Sequence, residues 1–224
     1  MPFGDSLREH EKTLAGGHGC GAGRSAGRWR RERRDLINGS FEQGADPGSF
    51  ITLGNGSTAI TGWTVKGHGV DYIGSYWTAA HGDRSVDLSA LKGGTIQQTI
   101  DTIVGKTYKV TFWLAGNPDG GQGDKFVATS VSGDQVNSFS FHVGGGNTKQ
   151  NMGWTQHSYT FKAFDPTATL AFNSQTNTPY GPALDNVSIS AVPEPATWAM
   201  MIMGFGGVGA AVRASRRKQA LAFA

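Results

Sequence analysis

Residues 107–116, TYKVTFWLAG, place Tyr108, Val110, Phe112 and Leu114 on one face and Thr107, Lys109, Thr111 and Trp113 on the other. A two-residue period belongs to a half-buried strand and cannot line one side of a helix. The same period recurs down the chain. HSYTFKAF (157–164) pairs Tyr159 with Phe161, and ATLAFNS (168–174) pairs Leu170 with Phe172. SVDL (85–88) points Val86 and Leu88 inward. VNSFSFHV (136–143) alternates with one shift of phase, and PALDNVSISA (182–191) alternates with one break, read as a bulge. Between residues 36 and 191 nothing keeps helical periodicity for three turns. About ten short strands, bounded by Gly, Pro, Asn and Asp, predict a β-sandwich.

Composition sharpens this reading. Charged residues are 17% of the chain, below the roughly 25% of ordinary soluble domains. The net charge of +3 is carried by the ends. Residues 1–35 hold eight Lys/Arg against five Asp/Glu, and residues 192–224 hold four against one. The body holds eight against eleven. A nucleic-acid module carries its basic patch on the folded body, so nucleic acid is not an expected partner. Cys20 is the single cysteine, which rules out an intrachain disulfide and a cysteine-based zinc site.

The C-terminus has three parts in order. Val192-Pro193-Glu194-Pro195 is followed by seventeen uncharged residues, Ala196–Val212, and then by Arg213, Arg216, Arg217 and Lys218. Seventeen residues are just enough for a transmembrane helix, and the basic cluster would stay on the cytoplasmic side. This order resembles the PEP-CTERM sorting signal of Gram-negative bacteria. That resemblance implies an exosortase as processing partner, transient anchoring in the inner membrane, and delivery to the surface. Residues 192–218 form the signal, with Pro193, Glu194, Pro195, Arg213, Arg216 and Arg217 as its motif, and residues 219–224 are a tail.

Residues 1–35 are basic and of low complexity, and lack the apolar stretch of about 7–15 residues that a signal peptide needs. They read either as a disordered extension or as a wrongly assigned start that omits the true signal peptide. Export favours the second.

A second resemblance spans the body, residues 36–191. LINGSFEQG (36–44), GWTV (62–65), VDYIGSYWTAAHGDRSVDLS (70–89), GKTYKVTFWLAGNPDGG (105–121), MGWTQHSYTFKA (152–163) and YGPALDNVSIS (180–190) follow the order of the choice-of-anchor C family. That family is similar to domain-of-unknown-function proteins of plant cell walls. The expected fold is all-β, a galactose-binding-like jelly-roll β-sandwich followed by one C-terminal transmembrane helix. In related jelly rolls an Asn-Gly-x-Phe-Glu start and an Asp-Asn-Val-Ser end share a structural Ca²⁺. By that resemblance Asn38, Glu42 and Asp185 are the expected metal residues. Calcium takes about 6–8 oxygens, so backbone carbonyls would complete the set.

Sugars bind on aromatic faces, with polar groups orienting their hydroxyls. Tyr72, Tyr76, Trp77, His81 and Asp83 crowd YIGSYWTAAHGDR, and Asn117 and Asp119 lie in the polar loop NPDGGQGD. These seven are the expected ligand-binding residues, whereas Trp63, Trp113 and Trp154 are expected in the core. Enzyme motifs fail on spacing. Gly105-Lys106-Thr107 lacks the glycine of a phosphate loop, since Ile100 occupies its place. There is no His-Glu-x-x-His or Gly-x-Ser-x-Gly. The expected function is non-catalytic polysaccharide binding at the cell surface or in the matrix. The alternatives are a structural matrix or biofilm protein without a defined glycan and, third, a polysaccharide-active enzyme.

Overall fold

The computed structural model describes residues 35–132 and 135–193, with Met203 and Phe205. Eleven strands run through the described body. They are β1 (Phe50–Leu53), β2 (Thr64–Gly67), β3 (Val70–Ile73), β4 (Ser85–Asp87), β5 (Gly94–Asp101), β6 (Thr107–Gly116), β7 (Gly123–Val131), β8 (Gln135–Val143), β9 (Thr155–Lys162), β10 (Thr167–Ser174) and β11 (Pro182–Ala191). They form a six-stranded sheet, β1-β3-β4-β11-β6-β9, and a five-stranded sheet, β2-β5-β10-β7-β8. The pairings between them are antiparallel. No helix among the described residues is long and apolar enough to cross a membrane. The expected transmembrane helix and Glu194, Pro195, Arg213, Arg216 and Arg217 lie outside the described residues, as does the expected N-terminal extension.

Alternation fills the space between the sheets. Val110, Phe112 and Leu114 of β6 are fully buried against Leu170 and Phe172 of β10. The Phe112 ring meets Phe139 at 5.1 Å and Phe172 at 5.2 Å, both edge-on. Each such buried side chain contributes about 1.5–3 kcal/mol relative to exposure.

Two details depart from the sequence pattern. In β8 the phase shift does not occur as a bulge. Val136 points out, 60% exposed, and the strand alternates regularly through Asn137, Phe139 and Phe141. Of the three expected core tryptophans Trp63 is buried, but Trp113 and Trp154 are only half-buried. Trp113 occupies the face of β6 opposite Phe112 and Leu114. The break in β11 is a bulge, with a register shift between Asp185 and Ser188 and Asn186 at φ 45°.

The strands define two poles. Residues 117–122, 144–154 and 175–181 connect them at one end, called here the loop pole. Residues 102–106 and 163–166 connect them at the other, where β11 also runs out at Ala191, beside Tyr108. This is the exit pole.

Candidate functional site

The first cluster is built by a tight turn. Asn38 and Phe41 both have positive φ, 51° and 61°, which few non-glycine residues adopt. The Asn38 side chain holds the turn: Nδ2 donates to the carbonyls of Gln43 (2.7 Å) and Thr61 (2.9 Å), and Oδ1 accepts from the Gln43 amide (2.9 Å). Gly39 lies against the β11 bulge, where a Cβ would come 1.8 Å from the Val187 carbonyl oxygen. Only glycine permits that approach.

The turn and the bulge bring Glu42 and Asp185 to one loop. Glu42 Oε1 accepts from the amides of Asp83 (3.1 Å) and Arg84 (3.0 Å). Asp185 Oδ2 accepts from the amides of Ala80 and His81, both at 2.8 Å, and Oδ1 from Asn186 (2.5 Å). Burial pushes the Asp185 carboxyl up to about 7, against the pull of those amides, and the negative field of Glu42 adds to the rise. Both acids thus accept backbone amides at one site, and the Arg84 guanidinium, held on the Tyr72 hydroxyl, is the cation within the field of Glu42. Among the described residues no group of three or more His, Cys, Asp or Glu forms a metal cluster. The pair matches a hard cation in oxygen chemistry, and most of its coordination would fall to backbone carbonyls. The Asn38 amide, the third expected metal residue, is engaged in holding the turn.

The expected sugar platform divides. Tyr72 and Trp77 are buried, 0% and 4% exposed, and are corrected from ligand-binding to core residues. Tyr72 donates from its hydroxyl to the Phe41 carbonyl (2.5 Å) and accepts from Arg84 Nη1 (2.9 Å). Trp77 Nε1 donates to Ser85 Oγ (2.8 Å), so the loop carrying Trp77 folds back onto β4. Asn117 is also buried, a third correction. Its Oδ1 caps the 3-10 turn Pro118–Gly120 at the Asp119 amide (3.0 Å), and its Nδ2 donates to Asp87 (2.8 Å). His81 and Asp83 are exposed on the 80–84 loop, where only their backbone amides are engaged with Asp185 and Glu42.

Tyr76 and Asp119 do meet, at the loop pole. The Tyr76 hydroxyl donates to Asp119 Oδ2. Lys149, which sequence reasoning missed, pairs with the same oxygen at 3.0 Å and sits 3.8 Å above the Tyr76 ring centre. Phe50 packs edge-on to Tyr76 at 5.0 Å. Burial works to raise the Asp119 carboxyl, but Tyr76 and Lys149 outweigh it and hold it below its ordinary value. Asp119 is therefore a fixed anion within a cation–π pair. Tyr180, 40% exposed, lies beside Gly120 at the same pole.

A second surface was also missed. The outward residues of the five-stranded sheet include Thr95, Gln97 and Thr99 on β5, Thr169, Ala171 and Asn173 on β10, Phe126, Ala128 and Ser130 on β7, and Val136, Ser138 and Ser140 on β8, with Lys66, Asp101, Asp124 and His142 as the ionisable groups at its margins. This face is uncharged across its centre and rich in hydroxyls and amides. Thr99 and Thr169 share a hydrogen bond (2.8 Å), Asn173 Nδ2 donates to Thr95 Oγ1 (2.5 Å), and Gln175 Nε2 donates to Asn173 Oδ1. Phe126 stands at its loop-pole end, 48% exposed, next to the His142–Asp124 pair (2.7 Å). In the sequence these positions read only as the solvent half of alternating strands.

The fold and these surfaces define an antiparallel β-sandwich module with a polar sheet face and a structured loop pole. The chain belongs to the DUF642 family, described as "Protein of unknown function (DUF642)", whose model matches residues 34–190. Residues 191–218 match the PEP-CTERM protein-sorting motif, which marks an exported protein sorted to the surface. Halomucin of Haloquadratum walsbyi is 35% identical over 166 residues, 70% of this chain and 2% of that protein. An Arabidopsis thaliana protein, "Protein DUF642 L-GALACTONO-1,4-LACTONE-RESPONSIVE GENE 1", is 27% identical over 179 residues, 71% of this chain and 43% of that one. The chain thus spans less than half the length of either relative. Among solved structures, TmCBM61 in complex with beta-1,4-galactotriose aligns at TM-score 0.44 and 16% identity, over 71% of this chain and 99% of that chain. CBM35 from Paenibacillus barcinonensis aligns at TM-score 0.43 and 18% identity, over 65% of this chain and 100% of that chain.

Proposed function

We propose that this chain is a non-catalytic surface or extracellular-matrix protein that holds a polysaccharide chain, after processing of its sorting signal by an exosortase. The observation that carries the reading is the uncharged hydroxyl-and-amide face of the five-stranded sheet, closed at the loop pole by Phe126. Sugar hydroxyls need donors and acceptors fixed at short spacing, and a pyranose face needs an exposed ring. Neighbouring strands lie about 4.8 Å apart, so five of them present roughly 20 Å, the length of several sugar units. Asp119, pinned by Tyr76 and Lys149 at the loop pole, supplies a charged acceptor beyond the strand ends.

The finer resemblance to choice-of-anchor C proteins is part of the same reading, as is a structural Ca²⁺. Glu42 and Asp185 would hold the ion, which would relieve the repulsion between them. Its chemistry would be structural, fastening the 80–84 loop between the start and the end of the domain. A glycan array probed with the purified protein in calcium tests the binding reading. Retention of one class of neutral polysaccharide supports it. A blank array from well-folded protein overturns it.

A further inference from the structure

The exit pole is apolar at its tip. Ile103, Val104 and Phe164 are 42%, 58% and 70% exposed. They sit on two loops tied together through backbone hydrogen bonds, Gly105 to Ala163 (2.8 Å), Ala163 to Lys106 (2.9 Å) and Thr102 to Pro166 (2.9 Å). Exposed Lys106 and Lys162 flank them, with Asp165 as the exposed acid of the same loops. Large apolar side chains held out together on bonded loops form the kind of patch that marks a contact site. Aliphatic and aromatic tips flanked by lysine suit a bilayer interface, where apolar groups enter about 5–10 Å and the ammonium groups stay with the headgroups.

The chain itself says what the patch contacts. The last backbone hydrogen bond among the described residues runs from the Val192 amide to the Thr107 carbonyl (2.8 Å), at this same pole. The uncharged run begins at Ala196, four residues later. Four residues reach at most about 14 Å. Once residues 196–212 are inserted, the exit pole is confined to the membrane surface and the loop pole is not.

We propose that, before processing, Ile103, Val104 and Phe164 seat the sandwich on the lipid interface, which stands the polar sheet face upright on the membrane and points the loop pole away from it. This rests on the reading that the C-terminal segment anchors in a bilayer. The test uses the full chain with Cys20→Ser, carrying one cysteine at a time by Val104→Cys, Phe164→Cys or Gln122→Cys. Each is labelled with an environment-sensitive fluorophore and reconstituted into phosphatidylcholine–phosphatidylglycerol vesicles containing a nitroxide lipid. Flotation of the chain with the vesicles, quenching at positions 104 and 164, and none at 122 are the expected results. A further Ile103→Ser and Phe164→Ser pair should abolish quenching at 104 while the chain still floats. Flotation with equal or absent quenching at all three positions overturns the seating. A chain that fails to float overturns the anchoring reading, and the seating with it.

Discussion

Glu42 and Asp185, from opposite ends of the domain, grip one loop: Glu42 takes the amides of Asp83 and Arg84, and Asp185 takes those of Ala80 and His81. The Asp185 carboxyl reaches about 7 through burial and the nearness of Glu42. The sandwich is thereby closed by two acids that repel when both are charged.

Calcium should therefore stabilise the fold. At about a hundred times its dissociation constant, a ligand bound only to the folded state adds about 2.7 kcal/mol. For a domain of this size that is a rise in Tm of roughly 5–10 °C. Differential scanning calorimetry with calcium and with chelator measures it. Glu42→Gln should remove most of the difference. Identical melting with and without calcium would sink the metal assignment.

Burying an acid makes stability fall with rising pH. Asp87 is fully buried and its carboxyl is pushed up to about 8 by that burial, with Asp71 adding repulsion. Lys125 is the facing cation, itself lowered by burial. In the unfolded chain Asp87 returns to 3.8. Between those values the folded state keeps a proton that the unfolded state has shed. Its contribution is whole below about pH 4 and is lost as pH climbs toward 8, with a limiting slope of about 1.4 kcal/mol per unit. Urea titrations from pH 5 to 8 should show the decline, and Asp87→Asn should make it shallower whatever its absolute stability, the remainder belonging to Asp185, whose carboxyl is raised to about 7. A slope unchanged in Asp87→Asn would assign the decline to other groups.

Trp77→Ala should unfold the domain rather than blunt a binding surface. The side chain is 4% exposed and bonded to Ser85, so truncation should cost about 3–5 kcal/mol. Asp119→Asn, at the surface, should leave the melting curve within about 1 kcal/mol of the parent. A Trp77→Ala protein that melts normally would contradict the placement.

Much of the sandwich was legible because alternation is a local signal. β6, β9 and β10 bury the faces that their sequences mark, and the break in β11 is a bulge. The site was less legible because burial of a loop side chain depends on where the loop returns. Trp77 carries the right chemistry for sugar, but its loop folds onto Ser85 of β4, and Tyr72 lies on the inward phase of β3 with its hydroxyl taken by Phe41 and Arg84. Lys149 is remote in sequence from Tyr76, and nothing local announces that it covers the ring. The polar rows of β5 and β10 look like ordinary solvent faces until the sheet order sets them side by side. Lys125 occupies the inward phase of β7, and its hidden facing of Asp87 is a property of topology alone.

Binding by the sheet face is the central claim. Isothermal titration of the best polysaccharide fragment into the parent, Phe126→Ala and Asp119→Asn tests it most directly. The account predicts binding about tenfold weaker in Phe126→Ala, the worth of one lost ring contact, with an unchanged fold. It predicts a comparable loss in Asp119→Asn, where a charged acceptor is removed. Full affinity in both variants would contradict it and move the ligand elsewhere on the molecule.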